Sequence, residues 1–433
     1  MAIAAPNTPT TTSASEPSAS YSAPLAIVTT LFFMWGFLTC LNDILVPHLK
    51  PIFDLNYTEI MLIQFAFFGA YFIFSIPSAK IIDWIGYQRS MVVGLLTMGV
   101  GAFLFVPAAS VPSYPLFLIA LIVLAAGITC LQVAANPYVT VLGKPQTASS
   151  RLNLTQAFNS LGTFLAPFFG GLLILTAAPK SIGEIRALAP DALQAYRLHE
   201  ASTVKLPYIG LGIALVLLAV AIGSFKLPKI PQAQRIVGEK VNDSIWKHRN
   251  LIFGAIGIFV YVGAEVSIGS FLVNYFSQPE IGGFTEKVAA SFVAFYWGGA
   301  MVGRFIGSGL LQKIKTGHLL GICAVCAAAL VTISMISTGH FAMWSIILVG
   351  FFNSIMFPSI FTLGVAELGP LTGDGSGVMI MAIVGGALIP LAQGAVADKI
   401  GIHHAFFLPV ICYLYILFFA LSGSKPNSER AGA

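Results

Sequence analysis

Apolar residues run in stretches of about 20 along most of this chain, broken by short polar segments; a helix needs such a run to cross the hydrocarbon core of a bilayer. The runs predict twelve spanning helices, at 24–47, 59–81, 88–109, 114–138, 150–176, 206–226, 249–277, 287–311, 317–337, 341–364, 375–397 and 402–423. Two polar interruptions are longer than the others. Residues 177–205 are expected to form an extended loop between spans five and six. Residues 227–248 fall at the midpoint and form a polar linker, so the chain divides into six spans and six.

Composition sharpens this picture. The chain has 433 residues, of which 57% are hydrophobic and 9% charged, with a mean hydropathy of +0.87. An ordinary soluble domain is about 25% charged. A chain so poor in charge has too few polar groups to cover its own surface, and lipid must do the covering. It is therefore expected to be an all-α polytopic membrane protein. Residues 1–22, dominated by Ala, Ser, Thr and Pro, lack the apolar area to pack and predict a disordered tail. The five cysteines fall in apolar runs and are expected to pack as small apolar residues. Cys323 and Cys326 form a CxxC, but no second pair or His cluster accompanies them, and no metal or other cofactor is expected. No basic cluster suited to nucleic acid accompanies the net charge of +5.

Lysine and arginine placement sets the orientation, because inside loops carry the excess. With the N-terminus inside, the inside loops hold Lys80, Arg89, Lys144, Arg151, Lys226, Lys229, Arg235, Lys240, Lys247, Arg249, Arg304, Lys313, Lys315, Lys425 and Arg430, most of the 22 basic residues. Both termini are then cytoplasmic. The expected organisation is a tail at 1–22, a six-helix bundle at 23–226, a cytoplasmic linker at 227–248, a second bundle at 249–423 and a tail at 424–433. Landmarks repeat between the halves: NPYVTVLG at 136–143 is echoed by FPSIFTLG at 357–364, and Pro167 by Pro390. Such repetition points to pseudo-symmetric halves enclosing a central site, with the prolines as hinges or as packing features. It carries no information about oligomers.

The candidate chemistry begins with Asp43 and Glu265, the acidic residues well inside spans, about half the chain apart. A carboxylate at the centre of a spanning helix costs about 2.5–3.5 kcal/mol on insertion scales, so such a residue is read as functional. Desolvation disfavours the charged form of a carboxyl, which suits it to exchange a proton near neutral pH. Amides and aromatics around these acids could line a site for a polar ligand. Gln156, Asn159 and Thr163 share one face of span five, and Gln132 and Asn136 one face of span four. Tyr261 shares a face with Glu265, while Asn42, Gln64, Asn274 and Asn353 add further amides. Trp35, Phe357, Tyr296 and Trp297 are candidates for stacking on the apolar face of such a ligand's ring. The alternative use for every amide is to join helices.

The segments FFMWGFLTCLNDILVPHLK, AAGITCLQVAANPYVTVLG, SSRLNLTQAFNSLG and YVGAEVSIGSFLVNYF resemble the fucose–proton symporter family of the major facilitator superfamily, above all its bacterial glucose/galactose branch. The resemblance runs from about residue 24 to 422. It implies two six-helix bundles around a central sugar site, alternating between inward-open and outward-open forms, in a bacterial inner membrane. The segment 79–89 is similar to the superfamily's gating loop between spans two and three, matching at Asp83, Gly86 and Arg89. Ala79 and Trp84 replace its usual Gly and basic residue. Fucose carriers have Glu where this chain has Gln132 and Gln where it has Glu265, so one cavity carboxylate has moved from span four to span seven. The implied function is import of a glucose- or galactose-type hexose, driven by protons bound at Asp43 and Glu265. Sodium coupling, uncoupled transport, fucose or N-acetylglucosamine as the sugar, and a non-transporting sugar sensor stay open. No enzyme motif is present: no phosphate loop, and no nucleophile with a His base.

Overall fold

In a computed structural model, described over residues 21–53, 57–111, 113–173, 188–228 and 243–426, the protein is built from α-helices. For 41–53, 57–62, 64, 167–173, 200, 201 and 286 the backbone path alone is described. The expected N-terminal tail, most of the linker and the end of the C-terminal tail lie outside these residues. The helices are α1 (Ser22–Phe53), α2 (Tyr57–Ser110), α3 (Tyr114–Val141), α4 (Ala148–Leu173), α5 (Pro190–Thr203), α6 (Lys205–Ser224), α7 (Arg249–Phe276) and α8 (Glu286–Leu310). They continue as α9 (Thr316–Ile336), α10 (Gly339–Asn353), α11 (Met356–Gly364), α12 (Thr372–Met381), α13 (Gly385–Ile400), α14 (Ile402–Ala405) and α15 (Phe407–Phe418).

Ten stretches among the described residues are long and apolar enough to cross a membrane. The stretch at 65–110 contains two spans, because α2 breaks at Gly86 (φ 79°, ψ 170°), a conformation that costs little only without a Cβ. Adding α4 completes the twelve. The sequence device at this break is Asp83-Trp84-Ile85-Gly86, and it recurs as Asp398-Lys399-Ile400-Gly401, where Gly401 (φ 84°, ψ 154°) ends α13. In lipid a helix satisfies its own backbone, so apolar runs fold as helices and interruptions must find other donors and acceptors.

Two features depart from expectation. Residues 177–205 are not simply an extended loop: Pro190–Thr203 form the 14-residue helix α5, opened by Pro190 and Asp191, residue types that suit a helix N-terminus. Arg304, counted with the inside loops, lies within α8, in a side-chain environment only 14% exposed. The run around it contains little else that is polar, and loop-edge counting assigned its charge to the nearest boundary.

Within the first half α1 packs on α4, and α2 on α3 and α6. In the second, α9 packs on α10 and α15, and α7 on α13. The halves meet where α2 lies against α12 and α4 against α8. At the first contact Gly377 approaches so closely that an added Cβ would lie 2.9 Å from that of Ala79.

Proline breaks repeat between the halves. Pro137 in α3 has no N–H for Val133 O, and Ser376 Oγ, from the other half, donates to that carbonyl at 2.8 Å. Pro358 near the start of α11 likewise frees Ser354 O, which accepts from Arg304 Nε at 3.3 Å.

Candidate functional site

The inner faces of the helices carry two polar groupings, one in each half. In the first, Gln132 Nε2 donates to Tyr71 Oη at 2.6 Å, joining α3 to α2. Asn159 Nδ2 donates to Phe32 O at 2.9 Å and Thr163 Oγ1 to Gly36 O at 3.3 Å, so this face of α4 is knitted to the backbone of α1. Gly36 permits the approach, since a Cβ there would meet Asn159 O at 2.1 Å. Asn136 and Gln156 differ. Both are buried; among the described residues neither amide atom of Asn136 has a hydrogen-bond partner, and Gln156 Nε2 has none. Trp35 is buried beside Phe32, with ring centroids 5.0 Å apart. The side chains of Asn42, Asp43 and Gln64 lie outside the described residues, although α1 and α2 run through these positions.

In the second half the same amide-to-tyrosine bond recurs: Asn353 Nδ2 donates to Tyr296 Oη at 2.9 Å. Asn353 is wholly buried and wholly used. Its Oδ1 accepts from Tyr413 Oη at 2.8 Å, and its carbonyl from Tyr261 Oη at 3.0 Å. Four helices, α7, α8, α10 and α15, converge on this residue. Phe357 stacks on Phe361 within α11. Trp297 is exposed, its indole lies beside Gly269 of α7, and its ring meets that of buried Tyr296 edge-on with centroids 5.1 Å apart. Asn274 lies two residues from the end of α7.

Glu265 stands at the edge of this network. Among the described residues its Oε1 has no hydrogen-bond partner; it lies 3.9 Å from Arg304 Nη2, with the side chains 13% and 14% exposed. At that separation the contact is an ion pair without a hydrogen bond. Arg304 also reaches across to the first half: Nη1 donates to Ser160 Oγ, and its carbonyl accepts from Asn153 Nδ2 at 2.7 Å. Further bonds continue this junction. Ser150 Oγ donates to Ser308 O at 2.7 Å, Ser149 Oγ meets Thr362 Oγ1 at 2.5 Å, and Lys80 pairs with Asp374 at 2.9 Å. Lys80 also lies 3.7 Å from Asp83 of the expected gating loop. These contacts gather at one end of the molecule, the end that carries 80–89, 144–151 and 364–374. Trp84 in that loop is exposed, and Arg89 follows the turn at Gly86.

Arg304, Tyr71, Tyr413 and Ser160 were missing from the sequence-based candidates. So was Gln393 in α13, buried with both amide atoms unpaired. The packing of Gly385 on Phe259 and of Ile389 on Gly263 carries one turn further to Ser267 and Gln393, and the Ser267 hydroxyl is also unpaired. A polar residue well inside an apolar run is the signal that finds Arg304 and Gln393. Among the described residues no three His, Cys, Asp or Glu side chains gather as metal ligands.

The chain matches the family described as Major Facilitator Superfamily over residues 25–383. A glucose/galactose transporter of Brucella abortus biovar 1 (strain 9-941) is 54% identical over 406 residues, which is 94% of this chain and 95% of the relative. The L-fucose-proton symporter of Escherichia coli (strain K12) is 36% identical over 410 residues, 93% of each chain. The fold matches the crystal structure of a major facilitator transporter, FucP, in the outward conformation, with a TM-score of 0.86 and 34% identity, covering 94% of this chain and 99% of that one.

Proposed function

Since the chain belongs to the major facilitator superfamily, we propose that it carries a glucose- or galactose-type hexose across the membrane by alternating access, with a proton as the coupled ion. The observation in this chain that carries the proposal is the set of buried amide atoms at Asn136 and Gln156 that have no partner among the described residues. An unsatisfied polar group in a membrane protein costs several kcal/mol, and a sugar hydroxyl both donates and accepts. Asn136 can offer both roles to such a ligand, and Gln156 an N–H.

Asp43 and Glu265 are the proposed proton sites. One charge moved across 100 mV supplies about 2.3 kcal/mol, enough for about fiftyfold accumulation of a neutral sugar. The excess of basic residues in the loops at the closed end supports a cytoplasmic placement of that end, with both termini inside, and the bacterial relatives support an inner membrane. The conformation is then outward-facing, in keeping with the outward conformation of its structural relative. Asp83, Gly86 and Arg89 form the gate at the closed end, with Lys80 and Asp374 pairing across it.

Labelled glucose and galactose uptake into proteoliposomes under an inward proton gradient tests this function. Accumulation that collapses with a protonophore, and falls to simple equilibration in Asp43→Asn and Glu265→Gln, is the expected result. Hexose uptake indifferent to the gradient would remove the proton role, and sodium-dependent uptake would replace it.

A further inference from the structure

Arg304 is attached to both halves at once, and Glu265 is attached to Arg304. The groups facing Glu265 are Tyr261 on its own helix α7, Arg304 and Tyr296 on α8, and Tyr413 on α15; Arg304 is the charged one. Its guanidinium divides three ways: Nη2 lies 3.9 Å from the carboxylate, Nη1 is on Ser160 of α4, and Nε is on the carbonyl freed by Pro358. One of these partners moves with the first half. The other two move with the second.

We propose that Arg304 is the positioning residue that couples the charge on Glu265 to the contact between the halves. The proposal rests on Glu265 exchanging the coupling proton. With this end closed, the guanidinium is shared between Ser160 and the carboxylate, and Glu265 receives only part of its donors. When the halves part at this end, Ser160 and Asn153 leave with α4. Arg304 then keeps Glu265 and Ser354 O, and the carboxylate gains an undivided counter-charge. Closure therefore favours the protonated acid and opening favours the ionised one, so a proton taken up from the far side is given up on this side. Linkage makes the relation reciprocal: protonating Glu265 releases the guanidinium to Ser160 and tightens the junction.

The test reads the junction itself. A cysteine placed by Ser150→Cys in an otherwise cysteine-free full-length protein reports opening of this end through its rate of maleimide labelling in proteoliposomes at acidic and alkaline pH, each rate divided by that of the denatured protein at the same pH to remove the titration of the thiol itself. Labelling is expected to speed up as pH rises, within the roughly 5- to 150-fold range typical of coupled sites. The step should vanish in Glu265→Gln, in Arg304→Gln and in the charge-neutral Glu265→Gln/Arg304→Gln double variant, and shrink in Ser160→Ala. A step lost in Glu265→Gln and intact in Arg304→Gln overturns the role of Arg304 alone. A step intact in Glu265→Gln overturns the proton role of Glu265 and this proposal with it. If Arg304→Gln does not fold, Ser160→Ala decides: a step of wild-type size there refutes the coupling.

Discussion

Asn353 and Asn136 are both buried asparagines just before a helix-breaking proline segment, one in each half, yet their surroundings are opposite. Asn353 uses its amide nitrogen, its side-chain oxygen and its carbonyl on three tyrosines from three other helices. Asn136 uses neither of its amide atoms on any described residue. A saturated amide holds helices together, and an amide left open by its neighbours can take a ligand. The two asparagines differ in use: Asn353 lies in a filled polar network with an ion pair at its edge, while Asn136, like Gln393 of the second half, keeps hydrogen-bonding groups that no described residue fills.

The sharpest way to break this comparison is to remove a charge from the filled side. Losing one partner of a buried ion pair costs about 3–5 kcal/mol, because the other charge is left uncompensated. Arg304→Ala should therefore give the largest drop in unfolding temperature in detergent, and Glu265→Gln/Arg304→Gln should recover most of the loss. Next in size, Asn353→Ala strands the hydroxyl of Tyr413, while that of Tyr296 keeps the carbonyl of Glu265. At about 1–3 kcal/mol for one stranded buried group, the protein should lose about 1–3 kcal/mol of stability, while the sugar KM of the protein that folds stays unchanged. On the vacant side the effects reverse. Gln156→Leu should leave the unfolding temperature where it was and raise the KM for hexose about tenfold, the loss of one good hydrogen bond. Smallest of all, Tyr71→Phe removes only the bond from Gln132. Thermal unfolding should register about 0.6 kcal/mol, the mean for an interhelical bond in one membrane protein.

Much of the fold was legible because the bilayer enforces it. Runs of spanning length had to be helices, and the prolines at 137 and 358 marked real interruptions whose freed carbonyls found side-chain donors. The turn at Gly86 followed from a residue type that alone tolerates the conformation. Helix α5 was hidden by its polarity, which resembles a loop when counted by composition. Arg304 was misplaced for a related reason, since its charge was weighed against the nearest boundary and its true partner lies on another helix. The division between structural and vacant amides was not legible at all. Asn159 and Gln156 lie on one helix, three residues apart and of the same chemical type, and only the approach of α1 through Gly36 gives Asn159 a carbonyl to bond. Pairing across helices is a property of the assembled bundle, and periodicity along one helix does not contain it.

Asn136→Leu is the most direct test of the claim that vacant buried amides mark the sugar site. The variant removes two polar atoms that no described residue satisfies and keeps the branched shape of the side chain, so the account predicts an unfolding temperature equal to or above that of the parent. Galactose titrated calorimetrically into the same sample should give no saturable heat where the parent protein binds. A variant that binds galactose as the parent does would contradict the account, and Asn136 would then be a vacancy without a ligand.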